Sequence, residues 1–316
     1  MKSFLNDKHL QNEEAAYAWV EARIWPNGPV CPHCGGVDRI SKMRGKSTRI
    51  GAYKCYQCRK PFTVKVGTIF ESSHIPMHLW LQAIYLLSSS KKGISSNQLH
   101  RTLGCTLKTA WFLSHRIREA MRDGGLAPMG GGGGIVEADE TYFGKTKEPR
   151  VSPHRDGRPY KVGSRGPRDK RAIFSLVECG GKVRSWHLQN ADKASVVQIV
   201  TANVDRETRL HTDESRLYHG ADQYFATHET VKHSAKEYAR GDVNTNSVEG
   251  YFSIFKRGMK GVYQHCAEHH LHRYLAEYDF RYNNRIALGT NDADRADIAL
   301  KGAVGKRLTY QTTLEG

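Results

Sequence analysis

The run Gly134-Ile135-Val136-Glu137-Ala138-Asp139-Glu140-Thr141-Tyr142-Phe143 governs how the second half of this chain is read. After a glycine, β-branched and aromatic residues alternate with polar ones, the pattern of a strand, and two adjacent carboxylates sit at its centre. Successive side chains on a strand point to opposite faces, so Asp139 and Glu140 serve different sides, and parity alone does not say which faces a site. Downstream, residues 171–179 and 182–188 read as two more strands across a Gly180-Gly181 turn, 194–204 as a helix, and 208–212 as a fourth strand. A long helical stretch then opens at Asn246 and carries Glu249, Phe252, Phe255 and Lys256.

Three strands followed by helix and strand is the order expected of an RNase H-like α/β domain. In that fold the first and fourth strands are neighbours and the late helix packs on the sheet. Asp139 on the first strand, Asp213 at the end of the fourth and Glu249 in the first turn of the late helix then converge. Three carboxylates suit two Mg2+ or Mn2+ ions, because hard cations take oxygen ligands and a two-metal site performs in-line phosphoryl transfer. Each acid also has a plainer use. Asp213 precedes Glu214 and can simply start the next element, and Glu249, three residues after Asn246, fits the acidic half of a capping box. Lys256 lies seven residues past Glu249, two turns along the same helix face.

Upstream, the run Gly124-Gly125 through Gly130–Gly134 cannot carry a stable helix or strand and reads as a linker. Cys31-Pro32-His33-Cys34 and Cys55-Tyr56-Gln57-Cys58 are two C-x-x-C knuckles at the spacing of a four-thiolate zinc ribbon, so Cys31, Cys34, Cys55 and Cys58 are expected to hold one structural Zn2+. Between ribbon and linker, residues 95–111 read as helix, Gly-containing turn and second helix capped by Thr106. The second helix is expected to expose Lys108, His115, Arg116 and Arg118 for DNA while Ala110, Leu113 and Ile117 face inward. The expected division is 1–72 for the N-terminal region with the ribbon, 73–127 for the helical DNA-binding segment and 128–134 for the linker. The α/β core then spans 135–290, with a tail at 291–316. Residues 145–171, crowded with Arg, Lys, Gly and Pro, read as a long basic loop.

Composition narrows the partner. Forty-eight Lys and Arg against 32 Asp and Glu leave a net charge of +16, which favours a polyanion, with nucleic acid first. The polar, acidic start lacks the features of a signal peptide, and no apolar run is long enough to span a bilayer. Two C-x-x-C pairs and three scattered cysteines make a poor disulfide framework, so a cytoplasmic, DNA-associated, membrane-free protein is expected.

The runs Gly134–Lys145, His211-Thr212-Asp213-Glu214-Ser215 and Asn244–Gly258, with the cysteine knuckles and the block Tyr274–Arg285, resemble DDE insertion-sequence transposases headed by a zinc ribbon, the ISXO-two-like group. The match covers nearly the whole chain. The resemblance implies a prokaryotic mobile element and a triad of Asp139, Asp213 and Glu249, with Lys256 as the associated basic residue. It also implies a homo-oligomer on double-stranded DNA that cleaves transposon ends and joins their 3′-hydroxyls to target DNA. Arg257 is a further expected DNA contact. Members of the group vary at the third acidic position, and Asn246 lies close to Glu249.

Overall fold

The computed structural model describes residues 4–124, 127–147, 156, 158 and 169–309, which fall into two units, 1–123 with 284–316 and 124–283. The first unit opens with α1 (Glu13–Ile24), a helix not anticipated from the sequence, whose first turn is capped where the Asn12 side chain accepts from the Ala15 amide at 2.9 Å. A small antiparallel ribbon follows, with strands β1 (Ile40–Lys42), β2 (Tyr53–Cys55) and β3 (Pro61–Phe62) in that order. Helix α2 (Met77–Ser89) buries Trp80, Leu81, Ile84 and Leu87. Next come α3 (Ser96–Leu103) and α4 (Leu107–Met121), the helix pair expected from the sequence. Ser95 caps α3, Gly104 closes it in the left-handed region at φ +66°, and Thr106 caps α4.

The second unit is built on a five-stranded sheet of order β6-β5-β4-β7-β8. Its strands are β4 (Ile135–Lys145), β5 (Lys170–Glu178), β6 (Val183–Leu188), β7 (Arg209–Asp213) and β8 (Thr227–Val231). The pairings β4–β5 and β5–β6 are antiparallel, while β7 lies parallel to both β4 and β8. That is the RNase H-like arrangement. Helix α5 (Lys193–Asn203) covers one face, packing Val196 and Val200 with Val136, Ala138, Phe174 and Leu176. The other face carries α6 (Asn246–Gly258) and α7 (Leu271–Asn283), whose Val248, Phe255 and Leu275 pack with Ile173, Val177 and Val183. The four expected strands and the helix fall within one or two residues of their predicted ends. Edge strand β8 escaped prediction because Thr-His-Glu-Thr-Val offers no apolar alternation, and so did the short hairpin of β9 (Ala239–Arg240) and β10 (Val243–Asn244).

After Asn283 the chain returns to the first unit. The expected tail contains a helix, α8 (Asp292–Lys301), that packs on α2 and α4. Beyond it the Ala303 carbonyl accepts from the Ile69 amide and the Gly67 carbonyl from the Gly305 amide. Gly302 is required here, since a Cβ would stand 2.2 Å from the Ala120 carbonyl oxygen. This returning segment covers the face of α4 that local periodicity leaves to solvent. Arg116 and Arg118 are therefore buried rather than displayed. The Arg116 guanidinium donates to the carbonyls of Leu308 (3.1 Å) and Glu71 (2.7 Å), and Arg118, 0% exposed, donates to Ser114 Oγ at 3.0 Å. His115 is enclosed as well, against Trp111.

The glycine run is fastened to the second unit. Met129 is buried and bridges Val204, the Gly130 amide donates to Glu178 Oε1 at 2.9 Å, and the Gly131 amide donates to Thr208 Oγ1 at 3.0 Å. Gly130 to Gly133 all have φ between +54° and +81°, a sequence of left-handed residues that only glycine adopts without strain. Most of the expected basic loop lies outside the described residues. Among the described residues no helix is long and apolar enough to cross a membrane.

A Cβ at Gly130 would lie 2.3 Å from Thr208 Oγ1, whereas one at Gly124 meets nothing within 4 Å. Gly130→Ala is therefore expected to destabilise the protein by roughly 1–3 kcal/mol through backbone strain, with Gly124→Ala near neutral. Thermal denaturation of both variants checks this, and equal melting temperatures would show the run to be a slack tether.

Candidate active site

Two groups of residues stand out, one in each unit: four cysteines in the ribbon and a set of acids on the sheet. In the ribbon, Cys31 Sγ lies 3.6 Å from Cys58 Sγ and Cys34 Sγ lies 3.7 Å from Cys55 Sγ, with all four sulfurs within 4.8 Å of one another. Zn–S bonds of about 2.3 Å in a tetrahedron put sulfurs about 3.8 Å apart, so the set fits one structural zinc ion. The two knuckles have the same construction. The Cys31 amide donates to the Gly36 carbonyl and the Cys55 amide to the Lys60 carbonyl, and the residue after each second cysteine is left-handed, Gly35 at φ +73° and Arg59 at φ +61°. Trp25, Tyr53 and Phe62 pack around the buried sulfurs in a core too small to be stable without the metal. One zinc per chain is expected, and Cys55→Ser should lose it together with the ribbon's protection from proteolysis. Metal analysis and limited digestion measure both, and a zinc-free native protein would rule the site out.

In the second unit, the β4–β7 ladder ends at the pair Glu137↔His211, and two residues further along each strand come Asp139 and Asp213. Asp213 ends β7, and Asp139 lies within β4 just past the last residue laddered to β7, where β4 continues paired with β5 alone. Register settles which acid faces the crevice. Asp139 lies on the side of β4 that shares its face with Ile173 and Val177, beneath α6. Glu140 turns to the α5 side, where it accepts from Tyr218 Oη at 2.8 Å and Ser215 Oγ at 3.4 Å.

Burial, with the negative charges of Glu140, Asp213 and Glu249 added, pushes the Asp139 carboxyl up to about 8. Burial also raises Asp213, and Glu214 and Glu249 add to the shift while His233 opposes it. Glu249 thus lies close enough for its charge to act on both aspartates. The three acids do not form a closed cage, because among the described residues only the four cysteines bring their ligand atoms within 4.8 Å of one another.

Glu249 is 48% exposed at its side chain, and its Oε1 accepts from Thr245 Oγ1 at 3.1 Å and lies 3.5 Å from His233 Nε2. The helix opens at Asn246 as expected, with Thr245 at the N-cap, so Asn246 is already in the first turn and Glu249 is not the acidic half of a capping box with it. Asn246 is exposed. Lys256 is half-buried. Burial lowers its ammonium's pKa while Asp139 raises it, and the neighbouring Lys260 and Lys170 lower it further.

His233 and Glu137 were missed from sequence. His233 sits in a polar, aperiodic stretch and is fixed by its neighbour, since Ser234 donates to both oxygens of Glu214, from its amide at 2.9 Å and its hydroxyl at 2.7 Å. Glu137 did leave a signal. It shares strand parity with Asp139 between the apolar positions Val136 and Ala138, which marks a buried charge. Of the expected DNA contacts, Lys108 and Arg257 are exposed, whereas Arg116 and Arg118 are interior.

With this geometry in place, comparison with known proteins is decisive. The family described as ISXO2-like transposase domain matches residues 132–283, and the transposase zinc-ribbon domain matches residues 11–61. The chain belongs to this transposase family. A curated relative, an uncharacterized protein in transposable element ISH50 of Halobacterium salinarum, is 28% identical over 288 residues, covering 89% of this chain and 92% of its own length. Solved structures also align with the transposase. The Mos1 strand transfer complex does so at 13% identity over 67% of this chain and 77% of that one, with a TM-score of 0.24. A Mos1 paired-end complex with the left transposon end does so at 13% identity over 72% and 79%, with a TM-score of 0.22. At such scores the fold assignment rests on strand order alone.

The raised Asp139 carboxyl has a stability consequence. Without divalent metal at the acids, the folded transposase keeps a proton on Asp139 that the unfolded chain releases above the ordinary value of 3.8. Stability is therefore lost as pH rises from there toward about 8. Asp139→Asn removes that loss, so its melting temperature in magnesium-free buffer should exceed wild type by a margin that widens between about pH 5 and pH 8. A margin independent of pH would contradict the shift.

Proposed function

We infer that the transposase cleaves DNA at transposon ends and joins the freed 3′-hydroxyls to target DNA, with Asp139, Asp213 and Glu249 as ligands of two Mg2+ or Mn2+ ions. The observation that supports this best is that burial raises both Asp139 and Asp213, side by side on adjacent strands, and that the charge of Glu249 adds to the shift of each. Carboxylates crowded at a crevice disfavour their own ionisation, and a bound divalent cation reverses that penalty. Glu249 is preferred to Asn246 as the third ligand because it is a carboxylate whose charge reaches both aspartates. When bound, the ions supply Lewis acidity and charge neutralisation for in-line displacement at phosphorus.

The chain's own groups do the rest. Asp139 within β4 and Asp213 at the end of β7 present their oxygens from the sheet, where the backbone is rigid. Lys256, on the helix that carries Glu249 and electrostatically coupled to Asp139, holds a phosphate beside the acids as a point charge. Exposed Arg257 and Lys108 add sequence-independent phosphate contacts, and the net charge of +16 favours binding that weakens as salt rises. Pairing two transposon ends calls for a homo-oligomer assembled on DNA.

Purified transposase, Mg2+, labelled DNA bearing the element's ends and a target plasmid test this reading. Joined products are expected from wild type. Asp139→Ala, Asp213→Ala and Glu249→Ala should each lower joining by about 10³-fold or more, the loss of several kcal/mol of charge stabilisation. Lys256→Ala should cost about tenfold or more. Cleavage without joining would reassign the site to a nuclease, and DNA binding without metal-dependent chemistry would make the chain a regulator.

A further inference from the structure

An α-helix begins with backbone amides that have no partner within the helix, and buried ones must find an acceptor elsewhere. At α6 every one of the first three is accounted for. The Asn246 amide donates to Asn244 Oδ1 at 3.1 Å. The Ser247 and Val248 amides both donate to a single oxygen, Glu137 Oε2, at 2.8 and 3.0 Å. Glu137 is not local to the helix. It comes from the first part of β4, two residues before Asp139, and it is 1% exposed.

This long-range cap changes what the N-cap residue does. A threonine in that position ordinarily turns its hydroxyl to an amide of the first turn. Thr245 makes no such bond. With Glu137 already serving the amides, Thr245 Oγ1 is released to donate to Glu249 Oε1 at 3.1 Å. The segment ahead of the helix is tied down too, because Arg209 on β7 bridges Asp242 (2.7 Å) and Glu229 (2.8 Å). One carboxylate thus joins the strand that carries Asp139 to the helix that carries Glu249, at a point two residues from each.

We propose that Glu137 is a positioning residue that sets the place of Glu249 relative to Asp139, by pinning the α6 N-terminus to β4 and freeing Thr245 to orient the Glu249 carboxylate. The proposal rests on the assignment of Glu249 as a metal ligand. Glu137 is buried and acts through the two helix amides it accepts from, so its contribution resembles that of groups behind metal ligands, whose loss typically costs about 10–100-fold in metal affinity or activity.

The test compares wild type, Glu137→Ala, Glu137→Gln and a control, Asn283→Ala. Asn283 is a buried residue of the same unit whose side chain bonds both backbone groups of Val183 on β6 rather than the amides of the α6 N-terminus. Mn2+ alone is titrated into the zinc-loaded protein and followed by electron paramagnetic resonance. Amide exchange at Ser247 and Val248 is measured without Mn2+, and end joining and end-DNA affinity are assayed separately. Glu137→Ala is expected to weaken Mn2+ binding and joining by about 10–100-fold, to speed exchange at both amides and to leave end-DNA affinity unchanged. Glu137→Gln, which keeps an acceptor oxygen, should recover most of each loss, and Asn283→Ala should leave Mn2+ affinity at the wild-type value.

Equal loss in Glu137→Ala and Asn283→Ala would overturn the proposal by reducing it to general loosening of the unit, and so would wild-type Mn2+ affinity in Glu137→Ala. Failure of the wild type itself to bind Mn2+ or join DNA would instead remove the assignment of Glu249. The amide exchange would still report the cap, so the two failures are distinguishable.

Discussion

Carboxylates repel one another, and the second unit has to hold Asp139, Asp213 and Glu249 near each other against that repulsion. The means is a sheet whose central parallel pair stops short. β4 and β7 are laddered as far as Glu137 and His211, and beyond that point the backbone no longer fills the space between them. Burial then raises both aspartates, so keeping them ionised costs the folded chain stability. Stability lost at such a place is typical of a site built for charge that comes from outside.

The adjacent acid pairs divide the work. Asp139 faces the crevice, while Glu140, on the opposite side of the strand, anchors the turn after β7 through Ser215 and Tyr218. Asp213 occupies the end of β7 and accepts from the Ser215 amide at 2.9 Å, while Glu214 grips Ser234 and so fixes His233 beside Glu249. In each pair one carboxylate is available to a ligand and its neighbour secures the loop that frames it. Deeper in the same face, Asp279 of α7 accepts from Ser185 of β6 and Tyr251 of α6, locking the covering helices to the sheet.

The first unit meets a different constraint. Its ribbon has too few apolar residues to fold around, so four sulfurs and three aromatic rings stand in for a core. Its helices close only when the far end of the chain returns. α8 and the residues after it supply the carbonyl that Arg116 needs and the close approach at Gly302. Basic side chains that would suit DNA in an isolated helix pair are thereby turned into interior hydrogen-bond donors.

Much of this was legible in the sequence. The two C-x-x-C knuckles specify their metal by spacing, because tetrahedral thiolate ligation needs only short local turns. The alternation in Ile135–Lys145 and the order of strands and helix fixed the α/β class, because strand and helix periods are local properties. Edge strand β8 and the β9–β10 hairpin were not, since their polar residues carry no period. Which carboxylate of Asp139 and Glu140 meets the crevice, whether Arg116 and Arg118 reach solvent, and what caps α6 were decided only in three dimensions. Each depends on a partner more than a hundred residues away: α6 for Asp139, Leu308 for Arg116 and Glu137 for Ser247 and Val248. Local sequence determines what a segment is able to form, but burial and charge are shared with whatever packs against it, and that is settled by the fold.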